Sequence, residues 1–374
     1  MSGVVDHLDA RGRVNLGSFY TPGKYVRLIG GWLLAHGVDS SWTIADTSCG
    51  YGAFFQLHGL LPGARFIAND IDREAVARAK EEYPFAECHC RNSLSGISRE
   101  NYGITRGERL AIVGNPPYND TTSIVGRGIK RGVSCAIDEA VKSRDLGISS
   151  LLAYSILEPE FVAVLHPLSY LIKEANFKAG RGFFDRYRLL EHVVFSSQEF
   201  AGTSKCAGFP VIAALYKRDE TDRLDYQKIL QTTFHTAEGD SFRLADRDYV
   251  GTKIAKYPHA GRYKPEILFY TLRDINALRR SRTFLKERCA NAIDVAPCSL
   301  PYYCYIDCFK RYARTPYWMG NFDIPYIEAE FKDIEEDVVA DAKSHHPEIF
   351  GDSPRPSADA RARIQEYIRR CLKG

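Results

Sequence analysis

The chain has 374 residues, 45% of them hydrophobic and 26% charged, which is ordinary for a globular protein and excludes disorder as its main state. No stretch approaches the roughly 18 consecutive apolar residues of a membrane span, and residues 1–13 lack the apolar core of a secretory signal, so the cytoplasm is the expected location. A net charge of +3 says little by itself, but at about 100–200 residues per domain the length predicts two domains.

In chain order, Thr21-Pro22 predicts a helix to about Leu34, with Thr21 as its cap and Pro22 in its first turn. The apolar run 42–45, ending at Asp46, reads as a first strand, and residues 47–55 as a glycine turn entering an apolar helix. Residues 64–70 read as a second strand, and Asp72 is placed to cap a helix over 73–83. Further strands are expected at 86–90, 110–113, 161–165, 190–195 and 211–216. Alternating strands and helices predict an α/β fold, a mostly parallel sheet covered on both faces. The last two strands have no long helix between them, which predicts an antiparallel hairpin at one edge. Ligands in such sheets lie beyond the carboxyl ends of the strands, near the point where strand order reverses.

Residues 119–132 are basic and rich in glycine, predicting a mobile loop directly after the fourth strand. After Lys217 the alternation stops, which predicts domains at 1–217 and 218–374. Residues 251–320 hold thirteen Lys or Arg against five Asp or Glu, and residues 321–359 hold three against eleven. The basic block predicts a polyanion partner; the alternative is that the two blocks pair with each other. Residues 358–373 read as a basic terminal helix. The ten cysteines form no C-x-x-C pair, so reduced thiols and no metal are expected.

Three motifs carry chemistry. Asp46-x-x-x-Gly50-x-Gly52 closes the first strand, where glycines let the backbone approach a ligand. Asp70, at the end of the second strand, suits a carboxylate accepting both hydroxyls of a ribose. A dinucleotide site would want a third glycine where Phe55 stands, so a nucleoside without a pyrophosphate fits better. Asn115-Pro116-Pro117-Tyr118 closes the fourth strand. Its prolines fix φ and remove two N–H donors, so Asn115 and the Pro116 carbonyl offer two acceptors to one NH₂ group. Tyr118 adds a flat face for a planar ring. Thr21-Pro22, ahead of the first strand, could meet a ligand carboxylate.

These motifs, in this order, resemble the adenine-N6 DNA methyltransferases of bacterial restriction–modification systems with the γ arrangement. The resemblance covers roughly residues 17–217. It implies a seven-stranded, mostly parallel, Rossmann-like methyltransferase sheet, followed by a mixed C-terminal target-recognition domain. It implies S-adenosylmethionine as cofactor, held by Thr21, Asp46, Cys49, Gly50, Gly52, Asp70, Ile71 and Asn92. Asn92 stands where the family usually has Asp, and its carbonyl would accept a hydrogen bond from the cofactor's adenine. Asn115, Pro116, Pro117 and Tyr118 would form the catalytic corner. Tyr118 and Phe200 would stack on the target base, with Phe195 and Phe209 as neighbouring candidates for the second role. The partner implied is double-stranded DNA, with a cognate endonuclease acting separately.

The chemistry is consistent with that resemblance. An adenine amine is a poor nucleophile, and two acceptors can aim its lone pair at a sulfonium methyl without a metal or covalent intermediate. The base must leave the duplex. Arg127, Lys130 and Arg131 beside the corner could hold phosphates. The basic block and the aromatics at 302–318 would read sequence, although about half of those aromatics suit a core. RNA adenine methylation is the nearest rival. Methylation of a protein glutamine amide fits less well, because such enzymes usually carry a helical domain before the glycine loop. An inactive DNA-binding module and a dehydrogenase are further alternatives.

Overall fold

The computed structural model describes residues 21–118, 136–200, 208–258, 263–272 and 282–373, and the chain divides into two compact units, Met1–Ser241 and Phe242–Gly374. In the first unit, β1 (Thr43–Asp46), β2 (Arg65–Asp70), β3 (Glu87–Cys90), β4 (Leu110–Gly114), β5 (Phe161–Pro167), β6 (Tyr187–Ser196) and β7 (Pro210–Arg218) form one sheet. Its order is β3-β2-β1-β4-β5-β7-β6. The pairs among β1 to β5 are parallel, and β7 runs antiparallel to both β5 and β6. The expected hairpin is therefore present, but its second strand is inserted against β5 and leaves β6 at the edge. The side chains explain this. Residues 210–216 of β7 are buried throughout, as an interior strand requires, whereas β6 carries Arg188, Glu191 and His192 at half-exposed positions.

The chain lays β1, β2 and β3 outward in one direction and then returns to place β4 on the other side of β1. The order therefore reverses between β1 and β4, and the carboxyl ends of these strands deliver Asp46, Asp70 and Asn115 to one rim. Both faces of the sheet are covered. Ile44, Phe66, Ala111, Val113 and Ala163 join a core with Tyr25, Val26, Ile29 and Leu33 of helix α1 (Gly23–Ala35). The alternate residues Ala45, Ile67, Ile112 and Val162 are equally buried. Helix α2 (Arg73–Glu82) starts where expected, with the Asp72 carboxylate accepting from the backbone N–H of Glu74 at 2.9 Å. Helix α3 (Leu146–Leu157) is capped in the same way by Asp145. The apolar segment after the glycine turn is a 3-10 helix, Ala53–Gly59, rather than an α-helix.

Residues 218–241 belong with the sheet, so the division falls later than the alternation of elements suggested. Tyr226 donates to the Ile172 carbonyl at 2.9 Å, and Ala237 N–H donates to Val194 at 2.8 Å, next to the isolated bridge between Val194 and Thr236. The second unit is mixed. Strands Phe284–Leu285, Leu268–Tyr270 and Ala292–Asp294 form a small antiparallel sheet beside helices α4 (Leu300–Tyr312), α5 (Glu328–His345) and α6 (Ala358–Lys373). Asp307 and Asp341 are almost fully buried and are held by Arg311, with further bonds from Thr283, His346 and Tyr312. Buried carboxylates with this many donors fix how α4 and α5 pack. No helix among the described residues is long and apolar enough to cross a membrane.

Candidate active site

The site is built on the strand ends. Asp46 is 2% exposed, and its Oδ1 accepts from Ser48 N–H at 3.1 Å. It packs so closely on the end of β4 that a Cβ at Gly114 would stand 3.1 Å from that oxygen. Burial pushes the Asp46 carboxyl up to about 8, opposed by the Ser48 N–H and reinforced by the Asp70 carboxylate. The folded protein thus keeps a proton that the unfolded chain loses above a pH of about 4. Stability contributed by this group falls as pH rises from about 4 toward about 8. Asp46→Asn keeps the acceptor for Ser48 and has no proton to lose. Its melting temperature should match the parent near pH 4 and exceed it by roughly 5 °C near pH 8; an equal shift at both pH values would contradict this reading.

The turn after β1 is left-handed at Gly50, with φ 52°, and at Gly52, with φ 82°. Among the described residues a Cβ at Gly50 would meet nothing within 4 Å, so the turn is open on that side. Asp70 crosses to it, with Oδ2 accepting from Gly50 N–H at 2.8 Å and Oδ1 from Asp72 N–H at 3.0 Å. Burial raises the Asp70 pKa, and the Asp72 and Gly50 donors oppose it. Asn69, wholly buried, ties the loops together. Its amide donates to the Thr47 carbonyl at 3.0 Å and the Arg91 carbonyl at 3.1 Å, while its oxygen accepts from Arg91 N–H at 3.1 Å. Cys49 is buried, Sγ 3.5 Å from the Gly50 carbonyl, and burial raises its thiol pKa. Ile71, beside Asp70, is 41% exposed.

Beyond β3 lies a cavity of about 320 Å³, lined by Arg91, Asn92, Ser95, Gly96, Tyr102 and Ala136 among others. That volume is in the range of small-molecule sites. The cavity adjoins the β2 end, because Arg91 N–H donates to the Asp70 carbonyl at 3.1 Å. The Asn92 carbonyl oxygen, expected to meet a ligand, accepts from Leu94 N–H at 3.0 Å, and its amide donates to the Ala136 carbonyl at 2.6 Å.

At the end of β4, Asn115 is half-buried and its amide donates to the Thr21 hydroxyl at 3.3 Å. Thr21 is therefore not the helix cap expected of it. Pro22 occupies the cap position, α1 begins at Gly23, and no side chain caps the helix. Two motifs separated by 94 residues meet instead. Pro116 is buried, and among the described residues no group donates to its carbonyl. The Tyr118 hydroxyl donates to Asn115 Oδ1, so the acceptor assigned to a target amine already takes one hydrogen bond, and an amide oxygen can accept two.

Phe200 does not present a stacking face. It is 2% exposed and meets Phe195 edge-on at 5.7 Å, while Phe195 stacks on Tyr25 at 3.8 Å. Phe209 is half-buried against the same core. Arg127, Lys130 and Arg131 lie outside the described residues.

In the second unit, the basic block is partly neutralised by the acidic one. Lys253 pairs with Glu328 at 2.5 Å, Lys256 with Asp323, and Arg311 with Asp341 at 2.7 Å. Arg288 pairs with Asp294 at 2.6 Å. Tyr303, Tyr305, Phe309 and Trp318 are buried in the core. Lys264, Arg282, Lys286 and Arg314 remain exposed. Arg262, Arg273, Arg279 and Arg280 lie outside the described residues.

Sequence reasoning did not single out Asn69, Tyr154 or Ala136. Tyr154, 1% exposed on α3, would stand 3.7 Å from a Cβ at Gly114. Only a polar residue inside an otherwise apolar strand, Asn69 before Asp70, left a signal that could have been read.

No family model and no curated protein sequence matches the chain. Among solved structures it is similar to the methyltransferase subunit of a type I restriction–modification system from Streptococcus thermophilus, at 14% identity and a TM-score of 0.42, over 62% of this chain and 48% of that one. It is similar to a 23S rRNA methyltransferase at 15% identity and a TM-score of 0.35, over 56% of this chain and 72% of that one. It is also similar to the magnesium protoporphyrin IX methyltransferase of Synechocystis, solved with bound S-adenosylmethionine, at 12% identity and a TM-score of 0.35, over 59% of this chain and 87% of that one. The chain spans about half of the restriction subunit it matches. These three are different kinds of enzyme, and the likeness says nothing of what this chain acts on.

Proposed function

We propose that the chain is an S-adenosylmethionine-dependent methyltransferase acting on the N6 amine of adenine in DNA. The observation that carries the reading is the meeting of Asn115 with Thr21 at the end of β4, beside the Asp46 carboxyl and the open turn at Gly50. The residues fit a nucleoside cofactor. Gly50 leaves a cradle that no side chain among the described residues fills, Asp70 lies at its rim for the ribose hydroxyls, and the cavity beyond β3 suits a purine. Thr21 would face the methionine part, and Asp46, Cys49, Gly52 and Ile71 would line the remainder.

When bound, S-adenosylmethionine supplies a methyl on a cationic sulfur that an amine can displace directly. The chain's part is to prepare that amine. Asn115 Oδ1 and the Pro116 carbonyl accept its two hydrogens, which favours a pyramidal nitrogen whose lone pair is withdrawn from the ring's π system and aimed at the methyl. The two prolines hold those dipoles in place before the base arrives, so little reorganisation is left for the transfer itself. Tyr118 would offer its ring to the base. Asn115 is not a base, so the excess proton passes to water after the nitrogen has been methylated. An adenine inside a duplex reaches this corner only by leaving the stack, at a cost of a few kcal/mol. Stacking on Tyr118 offsets about 1–3 kcal/mol of that. Phe200 can contribute only if its ring leaves the core. The second unit would hold the DNA through Lys264, Arg282, Lys286 and Arg314, because Lys253, Lys256 and Arg288 already have carboxylate partners.

The test is transfer of labelled methyl from S-adenosylmethionine by the purified protein to duplex DNA, RNA and protein offered together. Label in adenine of DNA is expected. Label confined to RNA or to protein would replace the substrate assignment.

A further inference from the structure

Asn92, a proposed cofactor residue, bonds through its side chain to two separate stretches of chain as donor and acceptor at once. Its oxygen accepts from Leu94 N–H at 3.0 Å, closing a local turn at the end of β3. Its amide donates to the Ala136 carbonyl at 2.6 Å, across 44 residues. Two more bonds join the same stretches: Asp138 N–H donates to the Leu94 carbonyl at 2.9 Å, and Gly96 N–H to Asp138 Oδ2 at 2.8 Å. Asn92, Gly96 and Ala136 all line the 320 Å³ cavity. Two of its walls are thus held together by a clasp in which residue 92 acts as donor and acceptor at once. A carboxylate at this position could keep the bond to Leu94 but would set an oxygen against the Ala136 carbonyl.

We infer that Asn92 is a positioning residue that shapes the cofactor cavity through the N–H it donates to Ala136, and that an acidic residue at 92 would weaken cofactor binding rather than strengthen it. This rests on the cofactor reading above. The charged groups beside the clasp are Arg91, whose guanidinium reaches Asn101 at 3.5 Å, and Asp138.

The test compares Asn92→Asp and Asn92→Ala with the parent, at the same pH in each comparison. Binding of S-adenosylhomocysteine is followed by calorimetry. Near pH 8 both variants should bind roughly fivefold more weakly, the loss expected for one partly exposed hydrogen bond. Near pH 3.5, below the ordinary Asp pKa of about 3.9, the Asp variant regains an O–H donor and should recover toward the parent at that pH, while the Ala variant should not. A ligand-free measurement accompanies this: amide exchange at Asp138 and Gly96 should speed up in the Asp variant near pH 8. Tighter binding by Asn92→Asp, unchanged exchange, or a loss that does not respond to pH would overturn the inference. If the parent itself fails to bind S-adenosylhomocysteine while exchange responds as described, the clasp stands and the cofactor reading falls.

Discussion

Asn115→Ala is expected to reduce methyl transfer by about a thousandfold or more while leaving S-adenosylhomocysteine affinity within about threefold of the parent. The side chain supplies one of two acceptors for the amine, and loss of one preorganised dipole from a site of charge development costs about 10²–10³ in rate. A further loss follows because the remaining Pro116 carbonyl cannot by itself fix the nitrogen's direction. The Thr21 and Tyr118 hydroxyls, which bond to this side chain, do not line the cavity beyond β3. Single-turnover transfer measured beside calorimetry separates the two effects. Retained transfer would remove Asn115 from the chemistry, and a parallel loss of cofactor affinity would make it a structural residue of the rim.

Asp70→Ala has the complementary expectation: cofactor binding weakens by a hundredfold or more, and transfer at saturating DNA falls with it. Two hydrogen bonds from ribose hydroxyls to a carboxylate contribute about 1.5–3 kcal/mol each. The same carboxylate holds Gly50 N–H and Asp72 N–H, so the variant also loosens the turn that forms the cradle. Asp70→Asn separates these effects. It keeps an acceptor for the turn but lacks the charge, and should fall between the parent and the Ala variant. Calorimetry on both checks this, and full affinity in Asp70→Ala would show that the ribose is held elsewhere.

The sheet was legible in the sequence because its signals are local. Apolar runs of strand length alternate with capped helical stretches, and Asp72 stands one residue before the helix it caps. The insertion of β7 against β5 was not legible, since a hairpin looks the same in sequence whichever of its strands lies inside. The cap at α1 misled for a definite reason: with Pro22 in the cap position, Thr21 sits one residue too far back to reach the helix's first N–H groups. That displacement frees its hydroxyl for Asn115, a contact no local pattern encodes. The burial of Phe200 and the pairing of Lys253 and Lys256 with acidic residues depend on tertiary packing. An aromatic or a lysine reads alike in sequence whether it meets a ligand or a neighbour. Residue chemistry identified the strand-end carboxylates and the diproline corner, whereas the clasp at Asn92 required Ala136 to be placed beside it.

The most direct measurement is modification-sensitive sequencing of DNA from cells expressing either the parent chain or Asn115→Ala. The account predicts N6-methyladenine at a defined sequence in the first and none in the second. Unmodified adenine in both, or the same modification in both, would contradict it.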